Sequence, residues 1–358
     1  MIGIRENIMG SRENFLRAAK FQHPQWIPAE VHINSASWNL YRKDMEKVAL
    51  KFPEYFPYVS EGWRDYEHFT FPPAYRKNEK FRDNWGCVWE TAEDGIEGVV
   101  TEFPLEDWEN LRNWRIPDIE TLDDRGLRDW AQTAANMHAA RERGELVCGR
   151  LPHGFLFLRM TYLRGFENAL CDMAMDDENF VGLFERLVKY NEALVRRYLN
   201  IGVDAVYFPE DLGMQDGPFF SPAMFEKWFV PAYARLLKPC REAGVLTHFH
   251  SDGKTLDILE AQIRAGVDIV NPQDLVNGID ELARCIKGHA CIDLDIDRQT
   301  VLPYGTPKEI DELIEEEVKK LGSKEGGLMM IAGIYPPTPP ENVEALCKAL
   351  RKYREYWT

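Results

Sequence analysis

The chain holds 358 residues, 45% hydrophobic and 28% charged, the balance of a folded protein with a substantial core. Its 59 acidic side chains against 43 Lys and Arg leave a formal charge of −16. That excludes a nucleic-acid binder with a basic face and argues against an anionic membrane surface, while a local basic pocket for an anionic substrate stays open.

The opening MIGIRENIMGSREN has no apolar stretch, so no secretory leader is expected. No apolar run reaches the roughly 18 residues of a membrane span. The seven cysteines are odd in number, scattered and free of any CxxC pair. They predict a reduced, cytoplasmic chain without disulfides or a zinc ribbon.

WIPAEVH at 26–32 reads as the first strand. Residues 50–115 follow with no clear period. They carry Trp63, Trp85, Trp89, Trp108 and Trp114 among many Tyr, Phe, Pro and Gly. This stretch is expected to be an irregular, aromatic-rich excursion covering part of the fold. It serves either as a satellite core or as an aromatic wall for a flat or apolar substrate, and the two roles are compatible.

From about residue 145 the pattern becomes regular. ELVCGRLP reads as a strand, and residues 167–199 carry apolar positions at helical spacing across two helices, stopped at Gly202. DAVYFPED at 204–211 is a strand ending in acids. The helix after it opens with Ser221 as N-cap and Pro222 at the first position, and ends at Gly244. Then come strand VLTHFHSDG, helix TLDILEAQIRAG, DIVNPQD, helix IDELARCIK and strand HACIDLDID. Helix TPKEIDELIEEEVKKLG, strand GLMMIAG and a closing helix from PPENVEAL complete the chain.

Repeated strand–helix units imply a parallel sheet with helical crossovers. The strand count suits a (β/α)8 TIM barrel, and no GxGxxG follows any strand. Such a barrel takes about 250 residues. The rest is assigned to the excursion, so residues 1–358 are expected to form one domain.

Polar residues gather where these strands end: Glu210 and Asp211; His248, His250 and Asp252; Asn271, Gln273 and Asp274; Asp293, Asp295 and Asp297. In a barrel those ends meet on one face, where the chemistry sits. His248, His250 and Asp252 alternate, so all three share one face of their strand. With Glu210 and Asp211 on the preceding strand they suggest a metal site. A hydrogen-bonded polar network is the other reading. Imidazole plus carboxylate suits zinc, and such a site polarises an ether or carbonyl oxygen better than it holds a thiolate. No GxSxG elbow, P-loop or HExxH occurs.

Several segments in order resemble the uroporphyrinogen decarboxylase-like superfamily: EDLGMQDGPFFSPAMFEKWFVPAYARL (210–236), HFHSDGKTLDILEAQIRAGVDIVNPQ (248–273), GTPKEIDELIEEEV (305–318) and PPTPPENVEAL (336–346). RENFLRAAKFQHPQWIP (12–28) is similar to the family's opening. NWGCVWE (84–90), FPLEDWENLRNWRIPD (103–118) and YLRGFENALCDMA (162–174) are similar to a subgroup of it. The resemblance implies a (β/α)8 barrel. True uroporphyrinogen decarboxylases carry an arginine-rich MRQAGR-like stretch after the first strand. Here that region reads EVHINSASWNLYRKD, and a polycarboxylate held without those arginines, in a chain of charge −16, is physically unfavourable.

The other branch holds cobalamin-dependent methyltransferases. In its thiol-active members, the resemblance implies, zinc is bound by a His-x-Cys pair and a later cysteine. The pair falls on His250 and Asp252, and the later cysteine near Ala332, so both thiolates are missing. The implied metal set is then His250, Asp252 and a carboxylate, Glu210 first and Asp211 second.

The expectation is therefore a methyltransferase component. It moves methyl from a methoxylated aromatic or similar small methylated donor to Co(I) of a separate corrinoid protein, which brings the cobalamin. His250, Asp252 and Asp295 are the expected catalytic residues. His32, Asn34, Asp211, Gln215, His248, Asn271, Gln273 and Asp293 are expected to contact substrate. The alternatives are a metal-free lyase or decarboxylase using His250, Asp252 and Asp295 for proton transfer, and a binding protein that lost its ligands. The oligomeric state is left open, a homodimer included.

Overall fold

The computed structural model describes residues 10–358; the first nine, which include most of the stretch read for a leader, lie outside the described residues. Ten strands are present: β1 (Ala29–Ile33), β2 (Lys80–Arg82), β3 (Val88–Glu90), β4 (Val99–Glu102), β5 (Cys148–Arg150), β6 (Ala205–Asp211), β7 (Leu246–Asp252), β8 (Ile269–Pro272), β9 (Cys291–Asp295) and β10 (Leu328–Ile334). Seven form one curled parallel sheet in the order β1-β10-β9-β8-β7-β6-β5. The expected strands at 26–32 and from 145 onward all appear in it. The eight-stranded barrel is met only in part: β1 and β5 are the two edges, and among the described residues no strand bridges them.

Local chemistry explains the helices. Asp177 accepts from Asn179 and Phe180 N–H and caps Glu178–Ile201, which stops at Gly202 in the left-handed region, φ 86°. Ser221 accepts from Met224 N–H, with Pro222 at the first position of Pro222–Glu242. Thr306 and Glu309 form a capping box on Pro307–Leu321. No helix among the described residues is long and apolar enough to cross a membrane.

The sheet's outward face packs against the helices. Phe208 and Phe249 meet Phe155, and Phe249 meets Tyr233 with ring centroids 5.0 Å apart. Inside the curl, an apolar floor of Ala205, Leu246, Ile269, Cys291 and Met329 packs on Ala18 and Ala19 of the helix Ser11–Ala19. Above that floor the interior turns polar.

The 50–115 segment is more ordered than expected. β2, β3 and β4 form a small antiparallel sheet. Its tryptophans are anchored inward. Trp89 Nε1 donates to Asp83 at 2.8 Å, Trp85 Nε1 to Asp124 at 2.7 Å, and Trp114 Nε1 to the Trp85 carbonyl at 2.9 Å. The fully buried Arg159 guanidinium lies 4.5 Å from the Trp85 ring centroid and 2.8 Å from Asp124. Trp85 and Trp89 belong to the main hydrophobic core. The indoles of Trp85, Trp89 and Trp114 have their polar tips satisfied and their faces packed, which is a core-building role.

One buried acid has a consequence for stability. Glu317, on the inner face of Pro307–Leu321, has no exposed surface. Burial pushes its carboxyl well above the usual range, and the charges of Asp274 and Asp297 add to this. A folded-state pKa above the unfolded one means the folded chain holds the proton more tightly. The stabilisation is therefore complete below the unfolded value near 4.5 and is lost as pH rises. The slope is at most about 1.4 kcal/mol per pH unit. Urea melts should show Glu317→Gln more stable than wild type at pH 8 and the gap closing toward pH 5. A gap independent of pH would contradict this assignment.

Candidate functional site

Strand alternation decides which side chains meet. β6 and β7 pair in parallel with Tyr207 opposite His248, Pro209 opposite His250 and Asp211 opposite Asp252. These residues all face the interior, and Phe208, Glu210, Phe249 and Ser251 face outward. β9 adds Asp293 and Asp295 inside, β8 adds Asn271, and β1 adds His32. All of these inward residues except Asp293 line a cavity of about 540 Å³ at the C-terminal ends of the strands.

Within it, His250 is the hub. Its Nδ1 lies 2.7 Å from Asn271 Oδ1, and Asn271 Nδ2 donates to the Asp293 carbonyl at 2.5 Å. That second bond turns the amide oxygen toward the imidazole, so Nδ1 carries the proton and Nε2 faces the cavity. His250 Nε2 stands 3.3 Å from Asp252 and 3.8 Å from Asp211. His153, from the turn after β5, places Nε2 3.4 Å from Asp211. Arg298 reaches Asp252 at 2.5 Å and Asp295 at 3.2 Å, and its guanidinium rests 5.5 Å from the Tyr335 ring centroid.

The electrostatics follow from burial and these partners. Burial works against the His250 cation, but Asp252, Asp211 and Asp295 outweigh it and push its pKa up to about 9. Burial works to raise Asp252, yet His250 and Arg298 hold it down to about 2. Asp295 is pushed up to about 7 by burial, against Arg298 and His250. The site thus keeps one carboxyl poised near neutrality beside one fixed carboxylate, the arrangement general acid–base work requires.

Two groups of side chains bring ligand atoms within 4.8 Å of one another: His153, Asp211 and His250; and His250, Asp252 and Asp295. The second group already has its charge matched by Arg298. Among the described residues the first has no arginine paired with it, and it offers two imidazoles and one carboxylate, a donor set that fits zinc.

The expected residues divide accordingly. His32, Asp211, His248, His250, Asp252, Asn271 and Asp295 come together in the cavity. Asp293 lines an adjoining one and bonds His248 Nε2 at 2.8 Å. Gln215 lies beside it, in a smaller pocket, with Nε2 3.2 Å from Gln299.

Three of the expected residues lie outside this cavity. Glu210 faces the helices, and its carboxylate accepts from Leu156, Phe157 and Leu158 N–H at 3.0, 2.8 and 3.1 Å, capping the helix Phe157–Arg164; it is no part of the metal cluster. Asn34 is an N-cap, accepting from Ala36 N–H at 2.7 Å. Gln273 accepts from Gly253 N–H at 2.8 Å and lines the same smaller pocket as Gln215. The aromatic wall also fails: from residues 50–115 the cavity receives only Glu97, and its rings are Tyr207, Tyr335 and histidines.

His153, Arg298, Arg150, Tyr207, Tyr335 and Glu97 were not anticipated. His153 follows the strand ELVCGRLP, and the strand-end rule used for the other histidines would have found it. Arg298 follows Asp295 and Asp297 just as closely. Glu97 and Tyr335 sit in irregular segments where no period marks them.

A curled parallel strand–helix sheet of seven strands with its polar cluster at the C-terminal strand ends defines a half-barrel α/β architecture. The family model for uroporphyrinogen decarboxylase (URO-D) matches residues 98–353, and the chain belongs to that family. No curated protein matches it. Among solved structures, a methyltransferase from Methanosarcina mazei is similar at TM-score 0.63 and 16% identity, covering 96% of this chain and 99% of that one. A B12-independent methionine synthase from Shewanella sp. W3-18-1 is similar at TM-score 0.43 and 12% identity, over 64% of this chain and 68% of that one.

Proposed function

We propose that the protein is a methyltransferase of the corrinoid-dependent branch of its family. It takes methyl from a small methylated donor, such as a methoxylated aromatic, and passes it in the cytoplasm to a separate corrinoid protein docked over the mouth of the sheet. The observation that carries this reading is the grouping of His153, Asp211 and His250 beside the acid Asp295 in one cavity. The full-length likeness to a methyltransferase fold supports it.

His153, Asp211 and His250 would hold zinc, which supplies Lewis acidity toward the donor's heteroatom. The chain's own residues do the rest. Asn271 fixes the His250 ring, and Arg298 fixes Asp252 and tempers Asp295. When the methyl–oxygen bond breaks, the bonding pair stays on oxygen, and Asp295, with its pKa about 7, can give that oxygen a proton.

Metal analysis on purified wild type and variants tests the assignment. Wild type is expected to take up about one zinc per chain. His153→Ala and Asp211→Asn should weaken zinc by about 10²-fold, while Asp252→Asn should retain it. Because zinc must displace a proton from His250, affinity should rise with pH up to about 9. Loss of zinc in Asp252→Asn alone would assign the metal to the other group.

The second reading, a metal-free lyase or decarboxylase, rests on the self-neutralised Arg298, Asp252, Asp295 and His250 set. Turnover of a candidate substrate that survives exhaustive chelation would favour it.

A further inference from the structure

The cavity continues downward. The space below the catalytic cluster, about 340 Å³, shares His32, Arg150, Tyr207 and Ile331 with the space above. At this waist most charges are matched. Glu30 lies 2.9 Å from His32 Nε2, and Asp293 lies 2.8 Å from His248 Nε2. Higher up, Arg298 takes Asp252 and Asp295, and Arg125 takes Glu97.

Arg150 is different. It is the last residue of the edge strand β5, on the same face as Cys148, and its side chain is open to the lumen. Among the described residues its guanidinium has no carboxylate or hydrogen-bond partner. The imidazole of His32, held by Glu30, lines the same waist, and that bond raises its pKa above the usual value. A planar five-donor fork without a partner, on the exposed wall of a cavity, is free to receive an anion from outside.

Register places this fork relative to the metal corner. Arg150 lies opposite Tyr207, which lies opposite His248. His250 is therefore two strands across and one pleat repeat up, about 10 Å and about 7 Å at the Cα atoms. Side chains converging from both points leave a span of small-molecule size.

We propose that Arg150, with His32, binds a carboxylate on the methyl donor and so aims its methylated end at His153, Asp211 and His250. The donor class is then an anionic one. This rests on the small-donor reading of the cavity, but it is tested by binding alone, without acceptor protein, so its failure is distinct from a failure of methyl transfer.

Calorimetry on the full chain with 4-methoxybenzoate and its uncharged partner 4-methoxybenzamide decides it. Wild type should bind the acid at least about tenfold tighter than the amide. Arg150→Gln should abolish that preference while leaving the amide's affinity unchanged. Arg150→Lys, which keeps the charge but not the fork, should fall between. Equal affinities in wild type, no binding of the acid at millimolar concentration, or a preference that survives in Arg150→Gln would each overturn the proposal. Should Arg150→Gln not fold, a preference in Arg150→Lys equal to wild type would overturn it.

Discussion

Replacing His250 by Ala is expected to lower methyl transfer to a corrinoid acceptor by about 10³-fold, within the usual range for removing a positioned acid–base or metal-binding group. His250 is the one residue common to both ligand groups. Its loss also takes a cation from between Asp211, Asp252 and Asp295, so Asp295 should hold its proton to higher pH. The melting temperature should fall somewhat, because a paired cation is lost, but the fold should persist, because the strand's packing residues, Thr247, Phe249 and Ser251, face the other way. His250→Gln keeps an amide in similar space and should lose the same activity. Turnover within tenfold of wild type in either variant would remove His250 from the chemistry.

Glu210→Ala should do the opposite, costing stability more than chemistry. Three backbone N–H groups end on this carboxylate, buried without exposed surface between β6 and the helix Phe157–Arg164. Their partner's removal leaves donors that water cannot reach, at about 1–3 kcal/mol each, so an overall loss of about 3–5 kcal/mol is expected. Glu210→Gln keeps one acceptor oxygen and should lose about half as much. Burial raises the Glu210 carboxyl to about 7, so its contribution is greatest below the unfolded value near 4.5 and shrinks as pH rises toward 7. Urea melts of the two variants at pH 5 and 7 measure this. If Glu210→Gln instead lost bound zinc at unchanged stability, Glu210 would be a ligand after all.

Glu210 and Asp211 also show how far the sequence reaches. Both are acids at the end of one strand, and either could be taken as a ligand. Period two alone says that one faces the lumen and the other the helices, but not which. The partner strand decides: Asp211 lies opposite Asp252, and β7's inward set of His248, His250 and Asp252 thereby selects Asp211. Asn34 and Gln273 lie outside the main cavity for a related reason. Short polar side chains at strand ends are also what helix starts and turns consume, and backbone N–H groups claimed both.

The amino-acid sequence by itself determined the strand–helix order from residue 145, the cap at Ser221, and the alternation of His248, His250 and Asp252. Those features depend on neighbours within a few positions, through periodicity and local hydrogen bonding. Only the tertiary structure decided that His153 and Arg298 join the cluster, that the tryptophans of 50–115 pack inward, and that β1 and β5 stand as free edges. Those are relations between residues up to hundreds of positions apart, set by strand register and by which buried polar tips find partners. Arg150 marks the boundary most clearly. In the sequence it is one arginine on a short strand, and only the curled sheet brings its side chain to the lumen beside His32 and Tyr207, where we propose it receives an anion.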